Sequence, residues 1–201
     1  MRDDKFYEYA FPEPYTILGV RLRPLSIGHL ILLYGSASPF LVQGETLNVG
    51  HLAFAVRLCS KTYEEGCAMI EDEKELKNIH DWARELQNVD IDYNERAKLF
   101  IDYLTEGQSV PGYSVEEGKS KAIKNIPQMQ IVRVELLSKT NIPDHEILNR
   151  PYKLCLLDFL TLRALAGQLE FVEHDQIKES VAKANAIMEQ LEQGRNQNVK
   201  T

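Results

Sequence analysis

Apolar residues in the middle of the chain recur every three or four positions, which is the spacing of one face of an α-helix. Such stripes run through 48–59, 62–71, 79–89, 93–106 and 127–139. The segment 152–169 is apolar on almost every side, which is typical of a helix buried in the centre of its domain. The pattern therefore predicts a mainly α-helical protein, a multi-helix bundle.

Local start signals support several of these helices. Ser26 precedes an apolar segment that stops near Gly35, and Asn48 precedes the next stripe. Thr62, with Glu65 three residues later, has the form of a capping box. Because Ser, Asn and Thr side chains accept hydrogen bonds from the first free N–H groups of a helix, we expect helices to begin after Ser26, Asn48 and Thr62.

A small β element, a strand or a hairpin, is predicted near the N-terminus, where apolar and polar positions alternate up to Pro24. We expect its partner strand within 40–47, with a tight turn at Gln43-Gly44. A strand that carries arginines could also add to the sheet edge of another protein. The candidate partner-binding residues are Leu18, Val20, Arg21, Leu22 and Arg23.

The segment 107–126 contains glycines, serines and a proline, so it predicts a loop or linker. It divides the chain into 1–106, a strand or hairpin plus helices, and 127–201, a helical part packed on the first. Within the second part we expect a turn at 144–149 and a last helix over about 175–193. That helix carries a short heptad seam, Ile177, Val181, Ala184, Met188 and Leu191.

Composition narrows the class of protein. The chain has 201 residues, of which 44% are hydrophobic and 26% charged, and its net charge is −7. These values are typical of a globular domain and argue against nucleic acid as a partner. Without a membrane-length apolar run or a signal-peptide core, a cytoplasmic protein with no membrane partner is expected. Its cysteines, Cys59, Cys67 and Cys155, are an odd number inside helical patterns and predict reduced thiols.

One adjacent His-Asp pair is the strongest hint of catalysis. An all-helical family of metal-dependent phosphohydrolases uses a histidine, a His-Asp pair and a distant aspartate to hold a divalent metal that activates water. The corresponding residues would be His51, His80 and Asp81, with Asp144 or Asp158. The small residues that usually follow the pair in that family are missing here, so a surface pair is the favoured interpretation.

Other catalytic patterns are missing from the sequence. It has no nucleophile elbow and no phosphate-binding loop, so no catalytic, cofactor-binding or metal residue is assigned and no cofactor is expected. Asp158 and Arg163 are charges within the apolar 152–169 segment. We expect them to form ion pairs with neighbouring helices or to occupy the one polar strip of that segment.

A third of the chain resembles a known class of helical proteins. The resemblance rests on 21–30 (RLRPLSIGHL), Ser38-Pro-Phe40, 52–60 (LAFAVRLCS) and Tyr63-Glu-Glu65, with the Leu-rich helix near 154–169 adding to it. In these positions the chain is similar to bacteriophage and prophage tail assembly chaperones, which are acidic helical proteins that bind tail subunits or the tape-measure protein. No functional residue carries over.

The sequence therefore favours a non-enzymatic assembly or protein-interaction protein, with a phage tail or tape-measure protein as its partner. The alternative hypothesis is the helical phosphohydrolase. The oligomeric state is left open.

Overall fold

The structure, a computed structural model, describes residues 14–41, 46–89, 91–115 and 126–171. This part is mainly helical with a small antiparallel β element near the N-terminus, which confirms the predicted fold class. Its helices are α1 (Ile27–Gly35), α2 (Val49–Cys59), α3 (Tyr63–Glu71), α4 (Glu73–Gln87), α5 (Tyr93–Gly107), α6 (Gln128–Lys139), α7 (Asp144–Asn149) and α8 (Tyr152–Leu165). Its strands are β1 (Thr16–Ile17), β2 (Val20–Arg21), β3 (Tyr113–Val115) and β4 (Leu169–Phe171). None of these helices has the length and hydrophobicity needed to cross a membrane.

The three predicted helix starts are confirmed. The side chain of Ser26 accepts a hydrogen bond from a backbone N–H in the first turn of α1, and Asn48 does the same for α2. Thr62 forms the full capping box, because the Glu65 carboxylate accepts the Thr62 N–H at 2.7 Å. Each cap satisfies backbone donors that a helix otherwise leaves without a partner.

The N-terminal β element is a hairpin of β1 and β2, with Ile17 opposite Val20. Leu18 and Gly19 connect the strands at φ values of 52° and 74°, as a type I′ turn requires. The partner strand predicted within 40–47 is wrong, since β2 pairs with β1 instead. Phe40 and Leu41 lie in a turn, and residues 42–45 lie outside the described part of the chain.

A second antiparallel sheet joins two distant segments, with Tyr113 opposite Phe171 and Val115 opposite Leu169. The loop predicted over 107–126 therefore contains a strand, and the helix predicted to reach residue 169 ends at Leu165. Gly167, at φ 67°, turns the chain from α8 into β4. Residues 116–125 and the helix predicted over 175–193 lie outside the described residues.

Two smaller predictions were wrong at element ends. The turn expected at 144–149 is the short helix α7. The apolar stripe over 79–89 ends early, because α4 stops at Gln87 and Val89 is 58% exposed.

One buried core contains residues from both sides of the 107–126 segment. Its fully buried large side chains include Ile27, Leu33, Leu52, Leu58, Phe100, Val132, Leu136 and Ile147. Backbone contacts add to this packing, since the Tyr152 N–H donates to the Leu25 carbonyl oxygen at 2.6 Å. In this arrangement α1 packs against α3 and α7, while α6 packs on α8 and keeps an outer side.

Candidate functional site

An open groove runs along the outer side of α6, beside the C-terminal end of α8. Its volume is about 500 Å³, which is within the range of pockets that bind small ligands. Its lining combines apolar and polar side chains, among them Ile126, Gln130, Ile131, Val134, Ser138 and Gln168. We call this feature the α6–α8 groove.

Helix α6, which forms one wall of the groove, is apolar on two sides. Met129, Val132 and Leu136, spaced by three and four residues, are buried in the core. Val134 is 53% exposed and Leu137 is 39% exposed. Residues three apart are neighbours on a helix surface, so these two form a continuous apolar strip in contact with water. Exposed apolar surface next to a cavity is where binding of a partner is expected.

An ion pair crosses the groove and holds its two helices together. Arg163 of α8 donates from Nη2 to the Oε2 of Glu135 on α6 at 3.0 Å. The Arg163 guanidinium also lies over the Phe159 ring, 4.5 Å from the ring centroid. These contacts neutralise both charges and confirm the predicted pairing of Arg163 with a neighbouring helix.

A second cation lines the groove, and no described residue pairs with it. Lys139 lines the cavity in the last turn of α6. It makes no ion pair with any residue of the part of the chain that the structure describes. Since the charges of Glu135 and Arg163 cancel, Lys139 gives the described lining residues of the groove a net positive charge. This local sign is opposite to the net charge of −7 on the whole chain.

The other predicted core charge, Asp158, also forms an ion pair. Its carboxylate lies 2.8 Å from Nη2 of Arg150. Burial raises the pKa of Asp158, and the Arg150 charge opposes that shift. Both partners are partly accessible, so the pair is a contact at the edge of the core.

The residues of the phosphohydrolase hypothesis are not brought together. Asp81 lies 3.8 Å from Arg84 on the same helix, and His80 beside it is exposed. His51 lies at the start of α2, where its Nε2 is 3.4 Å from the Asn48 side-chain nitrogen. The two alternative aspartates, Asp144 and Asp158, are each paired with an arginine. Within 14–41, 46–89, 91–115 and 126–171, no three His, Cys, Asp or Glu side chains are placed to hold a metal ion.

The five candidate partner-binding residues of the hairpin region have different environments. Leu22 is buried in the core, and its N–H donates to the Tyr15 carbonyl oxygen at 2.9 Å. Leu18 and Val20 are half-buried against the core, whereas Arg21 and Arg23 are exposed. The Arg23 N–H donates to the Cys59 carbonyl oxygen at 2.9 Å. Of this set, only the two arginine side chains present an exposed surface.

The three cysteines are all described, and all three are free thiols. Burial raises the pKa of Cys59 to about 12, with a hydrogen bond to Tyr103 acting in the opposite direction. Burial likewise raises the pKa of Cys155 to about 12. Since the thiolate is the reactive form, both groups are poor nucleophiles at neutral pH.

A buried ion pair links the N-terminal segment to α5 and α8. Lys153, only 7% exposed, lies with its Nζ 3.1 Å from the Oε1 of Glu106. The Tyr15 hydroxyl donates to Oε2 of the same carboxylate at 2.7 Å. Opposite charges in direct contact offset the cost of burying them, so this cluster has a structural role.

Of the groove residues, only Arg163 was singled out from the sequence. A signal was present, because Val134 falls between the buried positions Val132 and Leu136, and Leu137 directly follows the second of them. Apolar residues on two sides of one helix are compatible either with a fully buried helix or with a binding surface. Only the positions of α7 and α8 decide between the two.

Comparison with known proteins identifies no relative of the chain. No protein-family model, no curated protein and no solved structure matches the chain.

Proposed function

We propose that this protein is a non-enzymatic assembly protein that binds another protein through the α6–α8 groove. The observation that supports this most directly is the apolar strip of Val134 and Leu137, exposed on a helix whose other side is buried. Protein interfaces combine an apolar centre with a polar rim, and Ser138, Lys139 and Gln168 supply such a rim here.

The partner we propose is a structural protein of a bacteriophage tail, either a tail subunit or the tape-measure protein. The resemblance of segments within 21–65, and of the Leu-rich helix near 154–169, to tail assembly chaperones supports this choice, as does the acidic balance of the chain. We place the interaction in the cytoplasm. The free thiols of Cys59, Cys67 and Cys155 fit that reducing compartment.

Purification of the tagged full chain from its prophage-induced host tests the role. We expect one tail subunit or tape-measure protein to be recovered in stoichiometric amount and identified by mass spectrometry. Recovery of the tagged protein alone would contradict the proposal, as would recovery of an enzyme complex without tail proteins.

Two matched variants test whether the groove is the contact. Val134→Asp places a charge in the apolar strip, whereas Ile101→Asp places one on α5 at a site of similar exposure, 44% against 53%. We expect the first variant to lose the partner and the second to retain it. Equal recovery by both variants would show that the partner binds elsewhere on the chain.

A further inference from the structure

We infer that the α6–α8 groove binds an amphipathic helix of a partner protein that carries an acidic residue beside its apolar stripe. This inference rests on the proposed protein-binding function and specifies the chemistry of the partner. It follows from the shape of the groove, from the spacing of its apolar residues and from its one charge without a partner among the described residues.

The shape of the groove fits a helix. Its lining follows α6 from Gln130 to Lys139, a length of roughly 13 Å at 1.5 Å per residue. Two and a half turns of a second helix cover that distance. Helices in grooves are anchored by apolar side chains at positions i, i+3 or i+4, and i+7. Ile131 and Val134 in the lining are three residues apart. Their spacing therefore matches the i, i+3 spacing of such anchors.

The charge of the groove selects among amphipathic helices. Glu135 is already bonded to Arg163 at 3.0 Å, so the carboxylate is not available to attract a basic partner. Lys139 lies one turn further along α6 and lines the same cavity without an ion pair to any described residue. A partner with Asp or Glu next to its apolar stripe would neutralise this ammonium group. A partner with Lys or Arg there would meet a like charge.

The C-terminal end of α6 indicates the direction in which the partner helix binds. Lys139 lies at the C-terminal end of α6, where the backbone carbonyls give the helix its partial negative charge. An antiparallel partner would place its N-terminal end, with partial positive charge, at this point. Acidic residues are also favoured in the first turn of a helix, so the acidic residue and the helix end reach Lys139 together.

A charge-swap experiment on the full-length protein tests the inference. The probes are two synthetic helical peptides with leucines at i, i+3, i+4 and i+7, identical except for Glu or Lys in the first turn. Binding is measured by fluorescence anisotropy to the wild-type protein and to Lys139→Glu. We expect the wild type to prefer the Glu peptide and Lys139→Glu to prefer the Lys peptide. For each protein, the affinities of the Glu peptide and the Lys peptide should differ about three- to fivefold at low salt.

Variants of the apolar strip complete the test. Val134→Asp should weaken binding of the Glu peptide at least about tenfold, and Ile101→Asp should leave it unchanged. Val134→Asn, uncharged and of similar size, provides the same comparison if the aspartate variant does not fold. Circular dichroism confirms the fold of each variant before the titration.

Three results would overturn the inference. The first is equal affinity of both peptides for both proteins, which would remove the role of Lys139. The second is self-association of the wild type that Val134→Asp abolishes while neither peptide binds, because the occupant would then be a second copy of the chain. The third is tighter binding by a peptide of residues 172–201 than by the Glu peptide, which would assign the groove to the chain itself.

These failures are distinguishable from failure of the proposed function. If the peptides do not bind but a tail protein is recovered from the host, the assembly role stands and another surface is used. If the Glu peptide binds as expected but no tail protein is recovered, the groove chemistry stands and the proposed tail partner is wrong.

Discussion

Helices α1 and α6 are both rich in apolar residues, but their surroundings differ. Six of the nine residues of α1 are buried, and its first turn is closed by a reciprocal cap between Ser26 and His29. In contrast, α6 buries three of its twelve residues, has no side-chain cap and exposes Val134 and Leu137. Apolar residues in α1 stabilise the fold, whereas those on the outer side of α6 are available to a partner. Substitutions in α1 should therefore lower stability, while substitutions on the outer side of α6 should affect binding alone.

Replacing His29 should have the largest effect on stability. His29 is 2% exposed, accepts the Ser26 N–H at Nδ1 and lies with Nε2 2.8 Å from the Lys61 carbonyl oxygen. His29→Ala leaves both backbone groups without these partners and opens a cavity, so we expect a loss of about 3 kcal/mol. Urea denaturation measures the loss. The exposed His80→Ala is the control and should stay within about 0.5 kcal/mol of wild type; a similar value for His29→Ala would contradict the structural role of His29.

A methyl group at Gly28 should have the next largest effect. A Cβ at this position would lie 2.7 Å from the Leu148 carbonyl oxygen and 2.8 Å from the Tyr63 Cβ. Because the backbone of α7 cannot move away easily, we expect Gly28→Ala to destabilise the protein by about 2 kcal/mol. Gly35→Ala, in the same helix, has no neighbouring atom within 4 Å of the new Cβ and is the matched control. Equal denaturation midpoints for the two variants would show that α1 and α7 are less closely packed than described.

The acid sensitivity of the α1 cap is a smaller effect. The Ser26 N–H donates to Nδ1, so the neutral ring carries its proton on Nε2 and donates it to the Lys61 carbonyl. Burial lowers the pKa of His29 below 6.5, and the nearby Arg23 charge acts in the same direction. A lowered folded-state pKa stabilises the protein above pH 6.5, and this contribution is lost as the pH falls through the folded-state value.

We therefore expect the free energy of unfolding to fall with decreasing pH below 6.5, by up to about 1.4 kcal/mol per pH unit from this one group. Denaturation series between pH 5 and 8 measure the slope. His29→Ala should reduce the slope. An unchanged slope in His29→Ala would mean that another group causes the acid sensitivity.

The outer side of α6 should show the smallest effect on stability. Val134 is more than half exposed, so Val134→Asp should change the free energy of unfolding by no more than about 0.5 kcal/mol. Thermal and urea denaturation of the variant beside wild type test this. A loss of 2 kcal/mol or more would mean that Val134 is part of the core, and it would remove the contrast between α1 and α6.

Features that depend on neighbouring residues in the chain were mostly predictable from the sequence. The caps at Ser26, Asn48 and Thr62 depend on residues within one turn, and all three were predicted. The His29 half of the α1 cap was missed, because Glu or Gln usually occupies that position of a capping box. The β1–β2 turn was missed because Leu18 adopts a positive φ that few residues other than glycine adopt.

Long-range features could not be predicted for a different reason. Strands β3 and β4 are short and lie more than fifty residues apart in sequence, so neither segment alone indicates its partner. The α6–α8 groove likewise depends on where α7 and α8 leave α6 uncovered. Val134 and Leu137 have the same hydrophobicity whether they face the core or water, so their exposure is a property of the packing alone.

Site-specific photo-crosslinking in the host shows whether the partner binds the outer side of α6. A photoreactive phenylalanine derivative replaces Leu137, 39% exposed beside the groove, or Ile101, 44% exposed on α5. We expect crosslinking from position 137 to one tail subunit or tape-measure protein, and no such product from position 101. A crosslink to that protein from position 101 and none from position 137 would contradict the account.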